Sequence, residues 1–346
     1  MGLNDVNREK IMKFQAWLAA PLALSLSAVG VLAQTKEVTI AHQDMIVPFR
    51  IAQAAGAVEK ATGYKINWKM FGGGGDVIKA MASGEVPIGE VGSSPATAAA
   101  ATGMDVQVVW IIDDINNAEQ LVVSAKSGIT KIADLKGKKI ATPLASTAHY
   151  QLMYALSKNG MSSKDVQIIN MRPPEIAAAW ERGDLDGAFI WDPVMSKLRT
   201  AGAKSILTSS DVAKMGAPTF DALMVNKTWA EKNKEFVTAL IKEMAKADAE
   251  FLANKAKYTV DSDMVKTIAK VVGADIKDVP NALNDYSYPT AAAQASKDWL
   301  GGGAAGGVAQ AMANTAKFLK EQGRITEIPA DFGKFVNPEY AAAAAK

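Results

Sequence analysis

Val86-Pro87-Ile88-Gly89-Glu90-Val91-Gly92-Ser93-Ser94-Pro95-Ala96 reads as a short strand that runs through a small-residue turn directly into a helix. Ser94 stands where an N-cap is expected, with Pro95 at the first helical position and an alanine-rich run at 96–101 behind it. Pro143-Leu144-Ala145-Ser146-Thr147-Ala148-His149 repeats the arrangement. There a strand at 139–141 leads to Ser146 and Thr147, and the helix they begin is carried on by Tyr150, Leu152, Met153 and Leu156 at helical spacing. A helix N-terminus presents unpaired N–H groups and partial positive charge, which suits it to anions. Two of them with hydroxyls at the mouth point to a small oxyanion; each by itself is equally read as ordinary capping.

Outward from these two turns, strands and helices alternate. Strands are expected at 36–41, 66–71, 106–112, 120–125, 166–170 and 187–191, and helices at 50–62, 76–83 and 173–182. Alternation of this kind marks an α/β fold. The order of elements runs twice, over 36–112 and 138–208, which implies two lobes in a clamshell with the ligand in the cleft between them. The expected division is lobe 1 at 34–122 and 223–346, and lobe 2 at 123–222. Amphipathic helices at 227–258 and 262–272 are expected to wrap the first lobe. Residues 301–307 read as a flexible loop, 308–322 as a last helix ended by Gly323, and 341–345 as a frayed tail.

The first 33 residues have the pattern of an export signal. Arg8, Lys10 and Lys13 form a basic start, 17–32 is apolar or small without charge, and Val31-Leu32-Ala33 supplies small residues for cleavage. The apolar stretch contains Pro21 and Gly30 and is shorter than the roughly 20 residues of a bilayer span. Removing it leaves 35 basic against 34 acidic residues, a balance of +1. A near-neutral surface argues against nucleic acid or a membrane face as partner. The 346-residue chain has no cysteine, and its remaining length suffices for a core without disulfides. The same absence removes thiol catalysis, thiolate metal sites and iron–sulfur clusters.

Several motifs resemble those of taurine-binding proteins, the substrate-binding subunits of taurine ABC importers. They are Gly92-Ser93-Ser94-Pro95, Ser146-Thr147-Ala148-His149-Tyr150, Pro173-Pro174-Glu175-Ile176 with its continuation to Asp184, Gly216-Ala217-Pro218-Thr219-Phe220-Asp221, and Phe318-Leu319-Lys320-Glu321-Gln322-Gly323. The resemblance spans about residues 37–337. It implies a two-lobed periplasmic-binding fold of the type II clamshell kind, a periplasmic location, no cofactor, a monomer, and docking on a membrane permease with its ATPase subunit. Wider relatives bind aliphatic sulfonates, nitrate or pyrimidine precursors, so nitrate, another sulfonate or hypotaurine stay open as ligands.

Taurine carries a permanent sulfonate and an ammonium. The hydroxyls of Ser93, Ser94, Ser146 and Thr147, with the N–H groups beneath them, match the first. The resemblance carries the sulfonate contacts onto these residues and His149, which reads equally as a satisfied helix residue. Resemblance also assigns Asp221 to the ammonium, where a buried carboxylate forms a charge-assisted pair. Trp191 is either an aromatic wall with a cation–π face or a core residue. Glu119 is either a second acceptor or a surface carboxylate. Gln43 opens a loop, Gln43-Asp44-Met45-Ile46-Val47-Pro48, that departs from the smaller, more polar residues of relatives. Asp113, Asp114 and Asp192 stand near strand ends, where they either face the cleft or are solvated. His42 reads as structural.

No catalytic constellation is spelled out. With two histidines and no cysteine there is neither a zinc motif nor a Cys–His pair, and the thiamine-precursor synthases that share the fold need such a site. Gly72 to Gly75 is followed by Val77 where a dinucleotide fingerprint has its last glycine, and Gly137-Lys138-Lys139 lacks the hydroxyl of a P-loop.

Overall fold

The computed structural model describes residues 36–346; the expected export segment lies outside them. Two five-stranded sheets organise the chain. The first contains β1 (Glu37–His42), β2 (Lys65–Met70), β3 (Ile88–Gly92), β4 (Val106–Asp114) and, from much later in the chain, β10 (Phe220–Asn226). Its helices begin with α1 (Arg50–Ala54), α2 (Ala57–Thr62), α3 (Gly74–Ala82) and α4 (Ser93–Ala101). The second contains β5 (Glu119–Val123), β6 (Lys139–Thr142), β7 (Gln167–Asn170), β8 (Gly187–Trp191) and β9 (Lys204–Thr208). Its helices are α5 (Thr147–Lys158), α6 (Pro173–Glu181), α7 (Val194–Thr200) and α8 (Ser209–Lys214).

The strand orders are β2-β1-β3-β10-β4 and β7-β6-β8-β5-β9. In each, three parallel strands adjoin one antiparallel strand, β10 or β5, which pairs antiparallel with both its neighbours. The all-buried β3 and β8 lie inside these sheets, as continuous apolar or small runs should. The chain passes from the first sheet to the second between β4 and β5 and returns between β9 and β10. The expected lobe limits at 122/123 and 222/223 therefore fall inside β5 and β10. Each strand pairs along its whole length in one sheet, so the crossings lie at 115–118 and 215–219.

Helices α9 (Lys227–Lys232), α10 (Lys234–Asn254), α11 (Asp263–Val272), α12 (Val279–Asp285), α13 (Ala291–Ala295), α14 (Gly307–Glu321) and α15 (Glu339–Ala344) complete the chain. Of these, α10 packs on α2 and α15, and α11 on α1, on the first lobe; α14 packs on α4 and, through Phe318, on Tyr150 and Tyr154 of α5. Phe236, Leu240, Ile241, Met244 and Phe251 form the buried stripe of α10.

Four local expectations change. The helix at 50–62 is broken at Gly56, whose φ of 60° lies in the left-handed region. Ser94 is the second residue of α4, not its cap; Gly92 holds the cap position. The 301–307 segment is anchored at its end while 302–305 stay exposed: a Cβ on Gly307 would lie 1.9 Å from the Asp298 carbonyl oxygen and one on Gly306 2.1 Å from that of Gly301. The alanine tail is helix α15, with Tyr340 and Ala341 buried against β4 and α10. Among the described residues no helix is long and apolar enough to cross a membrane.

Candidate functional site

The two turns that open the sequence argument meet in space. A Cβ on Gly92, the last residue of β3, would lie 2.6 Å from Thr147 Cγ2 and 3.3 Å from Asp221 Oδ1. Only glycine allows so close an approach between the start of α5 and the end of β3. Between them lies a narrow pocket with a cavity volume of only about 10 Å³, lined from the first lobe by Gln43, Met45, Gly74, Gly92, Pro95, Asp221 and Tyr286 and from the second by Glu119, Ser146, Thr147 and Trp191.

Six of the nine residues expected at the site thus line one pocket: Gln43, Glu119, Ser146, Thr147, Trp191 and Asp221. The side chains of Ser93, Ser94 and His149 do not. Ser93 and Ser94 are buried in the first turn of α4, and Ser93 Oγ accepts from the backbone N–H of Phe220 at 3.4 Å. His149 is buried with Nε2 unpartnered and outside the pocket lining; burial, then the charge of Arg324, pulls it down to about 4. It is a neutral histidine inside the second lobe.

The hydroxyls at α5 are already engaged. Ser146 accepts from the His149 N–H at 3.0 Å and donates to the Pro143 carbonyl at 2.7 Å. It is therefore a true cap, and its proton is not free for an anion. Thr147 donates to Glu119 Oε1 at 2.5 Å, and the Ala148 N–H also favours the ionised Glu119 carboxyl. The protein's own carboxyl thus sits at the mouth of α5. In α4 the third residue is Pro95, which has no N–H, so Ser93 and Ser94 supply that helix's free donors.

The acidic side of the pocket is unusually dry. Asp221 stands at the start of β10 opposite Gly92, and Glu119 at the start of β5 opposite Trp191. Burial, and then the negative charge of Glu90, raises Asp221 to about 7. Burial raises Glu119 well above the carboxylate range, with Asp221 adding to it, and Glu119 Oε2 has no hydrogen-bond partner. A buried acid without a counter-charge prefers to be neutral, so a cation entering here would restore its charge.

The remaining acids divide. Asp44 crosses the cleft to accept from Trp191 Nε1 at 2.9 Å, so that indole is held edge-on to the first lobe. Asp192 accepts from the Ser196 N–H at 2.8 Å inside the second lobe. Asp114 accepts from the Asn116 N–H at 3.3 Å. Asp113 is wholly buried beside Asp221 and does not line the pocket. His42 is buried, edge-on to Trp68 at 6.1 Å, and structural as expected. A second link across the mouth joins Arg172 of the second lobe to Asp76 of the first at 3.0 Å.

Sequence reasoning did not name Met45, Gly74, Gly92, Pro95 and Tyr286 as pocket residues. Tyr286 follows α12 and is brought in by the pairing of Ser287 with Asp114, a contact no local pattern announces. It also missed the buried ion pair of Arg50 and Glu90, at 2.5 and 2.9 Å, below Asp221. A lone arginine amid the apolar residues 45–52 was the available signal.

The signature of the NMT1/THI5-like family matches residues 47–284. The taurine-binding periplasmic protein of Escherichia coli (strain K12) is 36% identical over 319 residues, covering 92% of this chain and 97% of that protein. Among solved structures, the alkanesulfonate-binding protein SsuA of Xanthomonas axonopodis pv. citri, bound to MOPS, has a TM-score of 0.70 at 25% identity, covering 89% of this chain and 98% of that one. The desulfurization enzyme DSZB shares the fold at a TM-score of 0.63 and 13% identity, over 90% and 99%. The two-lobed architecture therefore carries both binding proteins and at least one enzyme. The chain belongs to the NMT1/THI5-like family and is similar over nearly its whole length to the Escherichia coli taurine-binding periplasmic protein.

Proposed function

We propose that this protein is the exported substrate-binding subunit of an ABC importer, not an enzyme, and that it closes around taurine or a similarly small aminosulfonate for delivery to a membrane permease and its ATPase. The carrying observation is an interlobe pocket that combines helix N-termini with two desolvated carboxyls, one from each lobe. Such a pocket complements a zwitterion: backbone N–H groups suit the sulfonate, and Asp221 with the free oxygen of Glu119 suits the ammonium. Because the two lobes contribute opposite walls, a ligand that touches both favours the closed state by its differential affinity. Trp191 and Asp44 already touch across the cleft, which is the closed arrangement.

Calorimetric titration of the purified protein with taurine, ethanesulfonate, β-alanine and nitrate tests this. Taurine should bind most tightly, and ethanesulfonate at least tenfold more weakly, since it leaves the acids unpaired. Equal affinity for taurine and ethanesulfonate would remove the ammonium site, and binding of nitrate alone would replace the ligand class.

A further inference from the structure

Asp113 and Asp221 stand directly opposite each other on antiparallel strands β4 and β10. That pairing depends on an irregularity: Ala222 pairs with Ile111 and Asp221 with Asp113, so Ile112 is an extra residue in β4. A bulge next to a site re-aims side chains. Here it sets a second carboxyl beside the pocket acid, as its cross-strand neighbour on the adjoining strand. Asp113 is fully buried, and neither of its oxygens has a donor partner. Two carboxyls in contact inside a protein cannot both be charged; they share a proton.

We propose that Asp113 is a positioning residue for the cation end of the ligand, its protonated carboxyl donating to Asp221 so that the pair offers one negative charge and captures a cation in a pH-dependent way. The inference rests on the reading of Asp221 as the ammonium acceptor. One shared proton leaves one charge, which matches a ligand with one ammonium and leaves a pure anion unmatched.

The groups packed around the pair do not supply that charge balance. Arg50 and Glu90, from α1 and β3, are spent on each other. On the remaining sides stand acids and phenols: Asp114 on β4, Asp248 on α10, and Tyr286 and Tyr288 after α12. Glu119, across the pocket, is pushed toward its neutral form by burial. Among the described residues the pair therefore faces no free cation until a ligand brings one. Below about pH 7 Asp221 is protonated, and capture of an ammonium must release that proton to solvent.

The test is a pH series of taurine titrations between pH 5 and 9 on the parent protein, Asp113→Asn and Asp113→Leu. The parent should lose affinity about tenfold per pH unit below about 7. Asp113→Asn keeps a donor to Asp221 and should follow the parent profile within about threefold. Asp113→Leu removes the donor, so its profile should move up by a pH unit or more, with affinity recovering at pH 9. Equal loss at every pH in Asp113→Leu, or a flat parent profile, would overturn the proposal. Infrared titration of the protonated-carboxyl band in ligand-free protein separates this from the ligand reading. A band that titrates near pH 7 in the parent and at a higher pH in Asp113→Leu supports the pair even if taurine does not bind. Its absence in the parent sinks the pair even if taurine does.

Discussion

Glu90 in the first sheet and Phe189 in the second occupy corresponding places: each is the middle residue of a buried five-residue strand, and each pairs with a leucine of the antiparallel strand beside it. Two residues on, the strands end in Gly92 and Trp191, opposite Asp221 and Glu119 respectively. The lobes thus repeat one scaffold and present a carboxyl from the same position of each. They differ in what surrounds that carboxyl. The first lobe buries charge, with the Arg50–Glu90 pair and Asp113 behind Asp221, and ends its strand in glycine so that α5 can approach. The second buries an aromatic core and ends its strand in a tryptophan that closes the cleft. The same topology therefore yields one wall tuned for charge and one built for shape. The helices used are also not equivalent: α4 follows β3, the third parallel strand of its sheet in chain order, and α5 follows β6, the first parallel strand of its own.

The contrast can be broken most severely at Glu90. Glu90→Ala leaves Arg50 buried without its partner and should cost about 3–5 kcal/mol of stability, whereas Phe189→Leu should cost under about 1.5 kcal/mol. Urea unfolding of both variants measures the difference, and similar losses would erase the distinction between the lobes. At the pocket, Asp221→Ala should weaken taurine binding by about 2–5 kcal/mol. Glu119→Gln imitates a neutral acid and should cost about 1 kcal/mol or less. Titration calorimetry that found the two equal would show that both acids carry charge toward the ligand.

Thr147→Val sharpens the comparison further. It removes the donor to Glu119 and leaves a second buried oxygen unpaired, worth about 1–3 kcal/mol in thermal stability and in affinity. No change in either would mean that water replaces the hydroxyl. The smallest effect is expected at the rim. Arg172 is exposed, so Arg172→Ala should change affinity by only about 0.2–1 kcal/mol despite its contact with Asp76, and less at high salt. A tenfold loss in calorimetry would make that rim contact a principal clamp.

Much of this was readable along the chain. The strand–turn–helix units at Gly92 and Ser146 needed only small residues, a cap and an apolar run, all within one local window. The alternation that gives two α/β lobes is likewise local, whereas Asp221 was reached through the family resemblance of the 216–221 stretch. Less readable was how each hydroxyl spends its bonds: Ser146 and Thr147 look alike in sequence, yet one caps a helix and the other binds Glu119 from 28 residues away. Ser94 as a cap failed because the chain enters α4 two residues earlier, from a strand end fixed by its sheet partners.

Apolar periodicity, caps and turn residues are written into neighbouring positions, because water and backbone sterics act on each short segment directly; they settled the class of fold, the helix mouths and the acids worth watching. Which acids share a proton, which strand end must be glycine, and that Tyr286 closes a pocket begun at Gln43 were settled by tertiary structure alone. Those outcomes depend on pairing register, on one extra residue in β4, and on burial produced by segments up to 240 or so positions apart, and desolvation has no sequence neighbour to announce it.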